Sequence, residues 1–276
     1  MGIAPGTGIV GLPPAAYAET VEFEDDTPPL NPVFITDHVN YIIGYPEGDV
    51  RPENNITRAE SVTAFYRLLT DSMRNANWSQ ENPYPDVASD SWYNSSVSVM
   101  TMLNVITGHD SGLFKPDDFI TRAELAAVAA RFAKLMNMGS NSDASYNDIA
   151  GHWAEADVLY VSSVGWLVGY PGGSFKPDQA ITRAEFMAMV NRMLERMPET
   201  VEDILADDMI QWVDNSDPDA WYYLIVQEAT NSHAADSKEG RMVPGIRFEY
   251  ERWLGMMENP DWLALEQLWK SENSDN

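Results

Sequence analysis

The sequence contains no cysteine, so disulfide scaffolds, thiolate metal sites and cysteine nucleophiles are all excluded. It also contains no run of about 18 apolar residues, the length that a membrane-spanning helix needs, and we therefore expect no membrane insertion. Lysine and arginine are scarce: 17 of them stand against 43 aspartates and glutamates, for a net charge of -26. Such a chain is a poor partner for nucleic acid or an anionic membrane, so an acidic ligand would have to be held by local basic groups.

Histidine is also scarce, and none of the four forms a catalytic or metal-binding motif. His38, His109, His152 and His233 show no HExxH pattern and no triad-like setting. No EF-hand pattern accompanies the acidic loop at Asp117, so calcium binding has no motif behind it. We expect no catalytic residue, no metal and no cofactor. The abundant carboxylates leave a cell-wall glycan hydrolase, which needs only two of them, as an alternative.

The first 35 residues differ from the rest of the chain. Residues 1–18 are uncharged and end in Ala16-Tyr17-Ala18, which fits the pattern before a signal-peptidase cut, although no basic segment precedes it. We interpret them as a residual signal peptide of a secreted protein, with a disordered N-terminus as the alternative. Residues 19–35 are acidic and proline-rich and are predicted to be a linker.

Internal repetition dominates the remainder. The pentapeptide ITRAE occurs at residues 56–60, 120–124 and 181–185, preceded by the segments GYPEGDVRP, GHDSGLFKP and GYPGGSFKP. The glycines that open these segments stand at one fixed distance from the threonine of ITRAE: Gly44, Gly108 and Gly169. Trp92 and Trp153 in turn precede the second and third of these glycines by a fixed interval. Such fixed spacing indicates true structural repeats.

Each repeat predicts two helices joined by a structured loop. The threonine of ITRAE is typical of a helix N-cap, and the glutamate three residues later completes a capping box. Apolar residues follow at helical spacing, as in Val62, Phe65 and Leu69 after the first copy. Residues 97–103 and 158–164 predict a second, amphipathic helix after each tryptophan, and the Gly/Pro segment predicts a compact loop.

The first repeat lacks an opening helix of its own. Residues 214–234 resemble such a helix, with Trp221 in the role of Trp92 and Trp153. We predict a pseudo-threefold, circularly closed all-α domain in which this helix completes the first repeat, with an extra outer helix as the alternative. The predicted segments are repeat 1 at 36–80, repeat 2 at 81–140, repeat 3 at 141–200, the closing helix at 201–239 and a helical tail at 240–276.

The tail carries its own helix signal. Asn259 and Pro260 suit an N-cap and the first helical position. Trp262, Leu265 and Trp269 then form an apolar stripe. We expect this helix to pack against the domain, with a partner-binding helix as the alternative.

The combined pattern resembles the S-layer homology (SLH) family. It comprises Asp86-Val87 and Asp148-Ile149, the tryptophans, the Gly-Tyr-Pro loops and ITRAE, over about residues 36–234. The resemblance implies a three-pronged, monomeric pseudo-trimer around a central helix bundle, located at the cell wall or cell surface. It also implies non-covalent anchoring by binding an anionic, often pyruvylated, secondary cell-wall polysaccharide in grooves between repeats. A structural or protein-interaction role for the same scaffold is the alternative function.

The resemblance makes the arginine of the motif the principal ligand contact: Arg58, Arg122 and Arg183. Each is predicted in the first turn of a helix, where the positive end of the helix dipole disfavours a cation. An external carboxylate gives a reason for it, because helix amides and a guanidinium together form an anion site. The alternative is a structural pair with an aspartate of the adjacent loop: Asp49, Asp117 or Asp178.

Further candidates line the same predicted grooves. Arg51, Lys115 and Lys176 precede the loop prolines and could add positive charge or remain solvated. Tyr45 and Tyr170 could bind a sugar ring or pack internally. Trp92, Trp153 and Trp221 could be sugar platforms, although a core position is the favoured interpretation, and the three repeat glycines permit positive φ and close approach. The second loop has His109 in place of the tyrosine, so its groove is expected to be altered or silent.

Overall fold

A computed structural model describes residues 35, 37–136, 144–243 and 248–272 of the chain. The residual signal peptide predicted at 1–18 lies outside the described residues, as does the linker predicted at 19–35 except for its last residue. The account below concerns the described residues alone.

Three capped helices follow the three ITRAE motifs, as predicted. They are α1 (Arg58–Leu68), α4 (Arg122–Leu135) and α6 (Arg183–Met193). In each, the threonine side chain accepts a hydrogen bond from the N3 amide while the N3 glutamate accepts one from the cap amide. The predicted capping boxes are therefore confirmed, and a local sequence rule fixes where each of these helices begins.

A second set of helices covers the first. The helices predicted after Trp92 and Trp153 are confirmed as α3 (Asn94–Met102) and α5 (Glu155–Ser163), and α7 (Tyr223–Thr230) follows Trp221. α3 packs against α1, α5 against α4 and α7 against α6. A short helix, α2 (Asp71–Ala76), and one 3₁₀ turn (Val201–Asp203) complete the connections up to α7.

The residues that precede the three capped helices form a closed ring of backbone hydrogen bonds. Ile56 donates its N–H to Ile181 (3.1 Å), Ile181 donates to Ile120 (3.0 Å), and Ile120 donates to Ile56 (3.1 Å). All three isoleucine side chains are buried. Because every member both donates and accepts, the three helix N-termini are held side by side in a threefold arrangement.

The prediction of an all-α fold is wrong. An antiparallel two-stranded sheet pairs β1 (His233–Met242) with β2 (Glu249–Met256), with Asp236 opposite Arg252. The strands occupy the end of the segment assigned to the closing helix and the start of the segment assigned to a helical tail. β1 is polar along its length and buries only His233, so it carries little period-two signal, whereas β2 buries Glu251 and Trp253 in alternation with exposed neighbours.

The helix predicted in the tail is confirmed as α8 (Trp262–Glu272), and it packs against the domain. Its predicted start is wrong by two residues: Asp261 accepts the N–H of Ala264 at the N-cap position, and Asn259 instead accepts the N–H of Ser232. Trp262 and Trp269 are buried, and the indole N–H of Trp262 donates to the carbonyl of Asn40 at 3.0 Å. The guanidinium of Arg74 lies 3.7 Å from the centroid of the Trp269 ring. The two tryptophans of the apolar stripe of α8 are thus buried against the rest of the same chain.

The centre of the core is aromatic. Phe65 is fully buried, and its ring lies 4.9 Å from Phe132 and 5.4 Å from Phe186, centroid to centroid, so the three capped helices meet at this point. Edge-to-face and stacked pairs of this kind add to the energy of area burial.

We predict that Phe65→Ala lowers the free energy of unfolding by about 3–5 kcal/mol, because it opens a cavity where the three capped helices converge. Phe119→Ala is the matched control, since Phe119 is 54% exposed and its loss should change stability by less than about 0.5 kcal/mol. Chemical denaturation of both variants measures the difference, and equal effects would contradict this view of the core.

Candidate ligand-binding grooves

Each repeat loop is held by one carboxylate from an opening segment. Asp86 accepts the N–H groups of Phe114 (2.9 Å) and Lys115 (2.7 Å), and Asp148 does the same for the third loop. Asp214, far along the chain, accepts those of Val50 (3.0 Å) and Arg51 (2.7 Å) in the first loop. The amide hydrogen bonds also hold the pKa of Asp148 below its usual value.

The loop cations have an unusual backbone. Arg51, Lys115 and Lys176 have φ values of 54°, 57° and 57°, in the left-handed region that non-glycine residues rarely adopt. Their side chains stay on the loop surface: Arg51 pairs with Asp49 (2.7 Å), and Lys115 lies 3.7 Å from Asp118. The same strained geometry occurs three times because the carboxylate below each loop binds the N–H of this residue.

The three ITRAE arginines are buried, with 7%, 4% and 3% of Arg58, Arg122 and Arg183 exposed. Each crosses to the loop of the next repeat, where its Nε donates to a backbone carbonyl at 2.8 Å: Phe114 for Arg58, Phe175 for Arg122 and Val50 for Arg183. The arginines therefore lie between repeats, at the positions that the grooves also occupy.

The arginines pair with glutamates, and not with Asp49, Asp117 or Asp178, the alternative partners drawn from the sequence. Nη1 of Arg58 lies 2.9 Å from Glu124, Nη1 of Arg183 lies 2.9 Å from Glu60, and Nη1 of Arg122 lies 3.9 Å from Glu185. Each glutamate is the capping-box residue of the following repeat, so one carboxylate caps its own helix and neutralises its neighbour's arginine. The three pairs close a ring around the threefold axis.

Tyrosine completes two of the three pairs. The hydroxyl of Tyr45 donates to Glu60 at 2.6 Å, and that of Tyr170 donates to Glu185 at 2.8 Å. The guanidinium groups of Arg183 and Arg122 lie 4.9 Å and 4.7 Å from the respective ring centroids. Burial and the hydrogen bond to Glu60 raise the pKa of Tyr45 to about 12.

The middle interface differs, as the sequence predicts. His109 stands in place of the tyrosine, its Nε2 lies 3.7 Å from Glu124, and this buried nitrogen has no hydrogen-bond partner among the described residues. Burial and the positive charge of Arg58 lower the pKa of His109, which keeps the imidazole neutral at neutral pH.

The repeat glycines have a packing role. A Cβ atom on Gly44, Gly108 or Gly169 would overlap an aromatic ring, from Trp212, Tyr84 and Tyr146 respectively. None of the three has a positive φ, so that part of the expectation is wrong, whereas the close approach expected of them is confirmed. Atoms of an aromatic ring lie close to each glycine, and only a hydrogen in place of a side chain leaves room for them.

The three repeat tryptophans are exposed. Trp92, Trp153 and Trp221 have 50%, 62% and 61% of their surface exposed, so a position in the core, the favoured interpretation from the sequence, is wrong. Trp153 lines the groove that contains His109, and Trp92 lines the groove that contains Tyr45. The bulk of an indole left in water beside a groove is available for contact with a ligand.

Two grooves can be delimited. The His109 groove has a volume of about 520 Å³ and is lined by Arg58, His109, Glu124, Arg131, Trp153 and Asp178, with apolar residues beneath. The Tyr45 groove has a volume of about 210 Å³ and is lined by Tyr45, Glu60, Arg67, Trp92 and Arg183. Arg122, Tyr170 and Glu185 occupy the corresponding place at the third interface.

Several of these residues escaped the sequence analysis. The capping glutamates were assigned a local role, and Arg131, whose Nη1 donates to the carbonyl of Val105 at 3.0 Å, was not considered. A role for this position could have been inferred from the sequence, because an arginine occupies it in all three capped helices: Arg67, Arg131 and Arg192.

These features define a repeat module with ligand-sized grooves between its units, and comparison with known proteins identifies the repeats. The profile of the S-layer homology domain family matches residues 83–126 and 145–187. The chain therefore carries S-layer homology domains at these two positions, and the resemblance drawn from the repeats is confirmed. A third copy remains a prediction. The family also places the chain at the cell wall or cell surface.

Three similar proteins can be compared with the chain. Cell surface glycoprotein 1 of Acetivibrio thermocellus is 38% identical over 196 residues, which are 67% of this chain and 8% of that protein. The cellulosome-anchoring protein of the same organism is 36% identical over 165 residues, 59% of this chain and 37% of that protein. Exoglucanase XynX is 26% identical over 199 residues, 68% of this chain and 18% of that protein. The matches thus span well under two thirds of each relative.

Within the residues that the structure describes, every helix is too short or too polar to traverse a lipid bilayer.

The Arg183–Glu60 pair makes stability depend on pH. Burial alone would raise the pKa of Glu60, but the hydrogen bond from Tyr45, the charge of Arg183 and the capping contacts with Thr57 outweigh it and lower the pKa. The stability that ionised Glu60 contributes is therefore present above its usual pKa of 4.5 and is lost as the pH falls through the lower folded value.

We predict that Glu60→Gln lowers the free energy of unfolding at pH 7, because the variant lacks the negative charge that pairs with Arg183. The loss should be about 1 kcal/mol or more, a modest value because Glu60 is partly exposed and solvent screens the pair. Glutamine still forms the capping box, so the variant isolates the charge. The gap between wild type and variant should shrink as the pH is lowered below about 4.5. Urea titrations across pH measure it, with Glu239→Gln on the exposed strand β1 as control; a gap independent of pH would contradict the prediction.

Proposed function

We propose that this chain is a non-catalytic anchoring module that binds an anionic, pyruvylated secondary cell-wall polysaccharide in the grooves between its repeats. The observation that carries the proposal is the His109 groove, where an exposed tryptophan faces a buried arginine–glutamate pair. Its volume of about 520 Å³ lies within the range of small-molecule sites.

The family and the printed names of the relatives support anchoring. The chain carries S-layer homology domains, and one relative is named a cellulosome-anchoring protein and another a cell surface glycoprotein. The segment shared with each is a minor part of that relative, as expected of an attachment module joined to other domains. The match with exoglucanase XynX covers only 18% of that protein, so the similarity does not carry hydrolysis to this chain.

The groove chemistry supports an acidic sugar as the ligand. Arg58 has five N–H donors, and those that do not bind Phe114, Glu124 or Thr107 can turn to a carboxylate such as that of a pyruvyl ketal. Arg131 adds a second cation to the same wall. Sugar hydroxyls donate as well as accept, so Glu124 and Asp178 can bind them, while the face of Trp153 packs on the ring.

The tryptophans give a cleaner test than the arginines, whose removal would leave a buried glutamate unpaired and destabilise the fold. We predict that Trp92→Ala, Trp153→Ala and Trp221→Ala each weaken binding to purified pyruvylated wall polymer. Loss of one such contact should reduce the affinity about tenfold, equivalent to about 1.4 kcal/mol, and the triple variant should lose binding. Sedimentation with the polymer, or calorimetry, measures the effect.

Leu263→Ala is the control for these variants, because Leu263 is 64% exposed on α8. Thermal unfolding should be unchanged in all five variants, since each substituted side chain is at least half exposed. Polymer stripped of its pyruvyl groups should no longer bind, and no new reducing ends should appear on incubation with the chain. Wild-type affinity in the triple tryptophan variant would refute the groove assignment.

A further inference from the structure

Four acidic and histidine side chains converge beneath the β-hairpin, away from the grooves. His38 precedes the first loop, Glu228 lies on α7, His233 opens β1 and Glu251 lies on β2. One nitrogen or oxygen from each lies within 4.8 Å of all the others. His38 and His233 are remote in the sequence, so only the closed chain brings them together.

The distances match the spacing of ligands around one ion. His38 Nδ1 lies 3.2 Å from His233 Nε2, His233 Nε2 lies 3.3 Å from Glu228 Oε2, and His38 Nδ1 lies 3.5 Å from Glu251 Oε2. A tetrahedral ion with bonds of about 2.0–2.2 Å separates its ligand atoms by about 3.3–3.6 Å. Imidazole nitrogen and carboxylate oxygen are both zinc ligands.

Two buried oxygens in the cluster lack partners, which is a separate indication of a ligand. Oε1 of Glu228 and Oε1 of Glu251 accept no hydrogen bond from the described residues, and their side chains are 0% and 7% exposed. An unpartnered buried carboxylate oxygen is costly, and the charge of a cation bound by both glutamates would offset that cost.

The surroundings orient the ligands as a metal site requires. The Nδ1–H of His233 donates to the carbonyl of Asn231 at 2.9 Å, which directs the lone pair of Nε2 into the cluster. The indole of Trp253 donates to Glu228 Oε2 at 3.0 Å and stacks on the His233 ring at 4.0 Å. Both side chains are therefore fixed before an ion arrives.

An entry route exists. His38 and Glu251 line an open cavity of about 370 Å³ together with residues of the hairpin. The side chain of His38 is 24% exposed, so this ligand can reach solvent while Glu228 and His233 stay buried.

We propose that His38, Glu228, His233 and Glu251 bind one zinc ion that fastens the β-hairpin to α7 and to the segment before the first loop. The two carboxylates balance the charge of the ion. The backbone already joins the same elements, with His233 N–H donating to His38 at 3.0 Å and Tyr41 and Ile42 both donating to Ala229 at 3.1 Å. The ion would strengthen the contact of the β-hairpin and α7 with the segment before the first loop.

The rival arrangement holds protons in place of the ion. A proton on His233 Nε2, with the nearby charge of buried Arg196, would also balance the two glutamates. A proton, however, bridges one donor and one acceptor, whereas one ligand atom from each of four residues lies within 4.8 Å of the other three. Zinc binding separates the two arrangements directly.

The test uses the full chain, stripped of metal with a chelator and then titrated with zinc alone. We expect one zinc per chain to survive dialysis, by elemental analysis. We also expect the melting midpoint to rise by roughly 5–10 °C at zinc concentrations about a hundredfold above the dissociation constant. Cobalt in place of zinc should give the strong visible absorption of a tetrahedral site.

His38→Gln and Glu251→Gln should each lower zinc affinity by at least roughly tenfold and remove the stabilisation by zinc. His38→Gln is the safer variant, since it changes the partly exposed ligand and leaves the buried ones intact. His152→Gln is the control, because that imidazole pairs with Asp178 outside the cluster. A wild-type chain that retains no zinc, or ligand variants that bind it as tightly as wild type, would overturn the assignment.

Discussion

The structure depends on a closed ring of three backbone hydrogen bonds among Ile56, Ile120 and Ile181. Each isoleucine uses its N–H toward one repeat and its C=O toward the other, so no member can be withdrawn without leaving two buried polar groups unpaired. The ring places the N-termini of α1, α4 and α6 side by side. Everything that distinguishes the interfaces, from the crossing arginines to the grooves, follows from that placement.

The arginine–glutamate ring is built on this frame, and it explains why a cation stands at the positive end of a helix dipole three times. Arg58 is stabilised by Glu124 and by the carbonyl of Phe114 across the interface, which outweighs the small unfavourable dipole contribution. The arginines are buried, so removing the glutamate of a pair leaves a guanidinium without its partner and destabilises the fold. The arginines thus have a structural role whether or not a ligand also contacts them.

The threefold symmetry is broken at the grooves between the repeats. Tyr45 and Tyr170 occupy two interfaces and bind the capping glutamate, whereas His109 leaves Glu124 without such a hydroxyl and leaves a groove of about 520 Å³ against about 210 Å³ at Tyr45. Three repeats with one scaffold therefore offer unequal grooves. The β-hairpin and its His–Glu cluster add a further asymmetric element, outside the repeats.

What the sequence determined was local. The capping boxes at Thr57, Thr121 and Thr182, the helices they begin and the presence of a helix in the tail follow from short-range hydrogen bonding and helical spacing, and all were predictable, although α8 starts two residues later than Asn259 and Pro260 indicated. What only the tertiary structure decided depends on residues far apart in the chain. The partner of each arginine, the exposure of Trp153 and the meeting of His38 with His233 all arise from contacts across the closed ring. The two residues of such a contact are too far apart to fall within one short stretch of sequence. Local patterns could therefore identify the arginines but could not assign their partners.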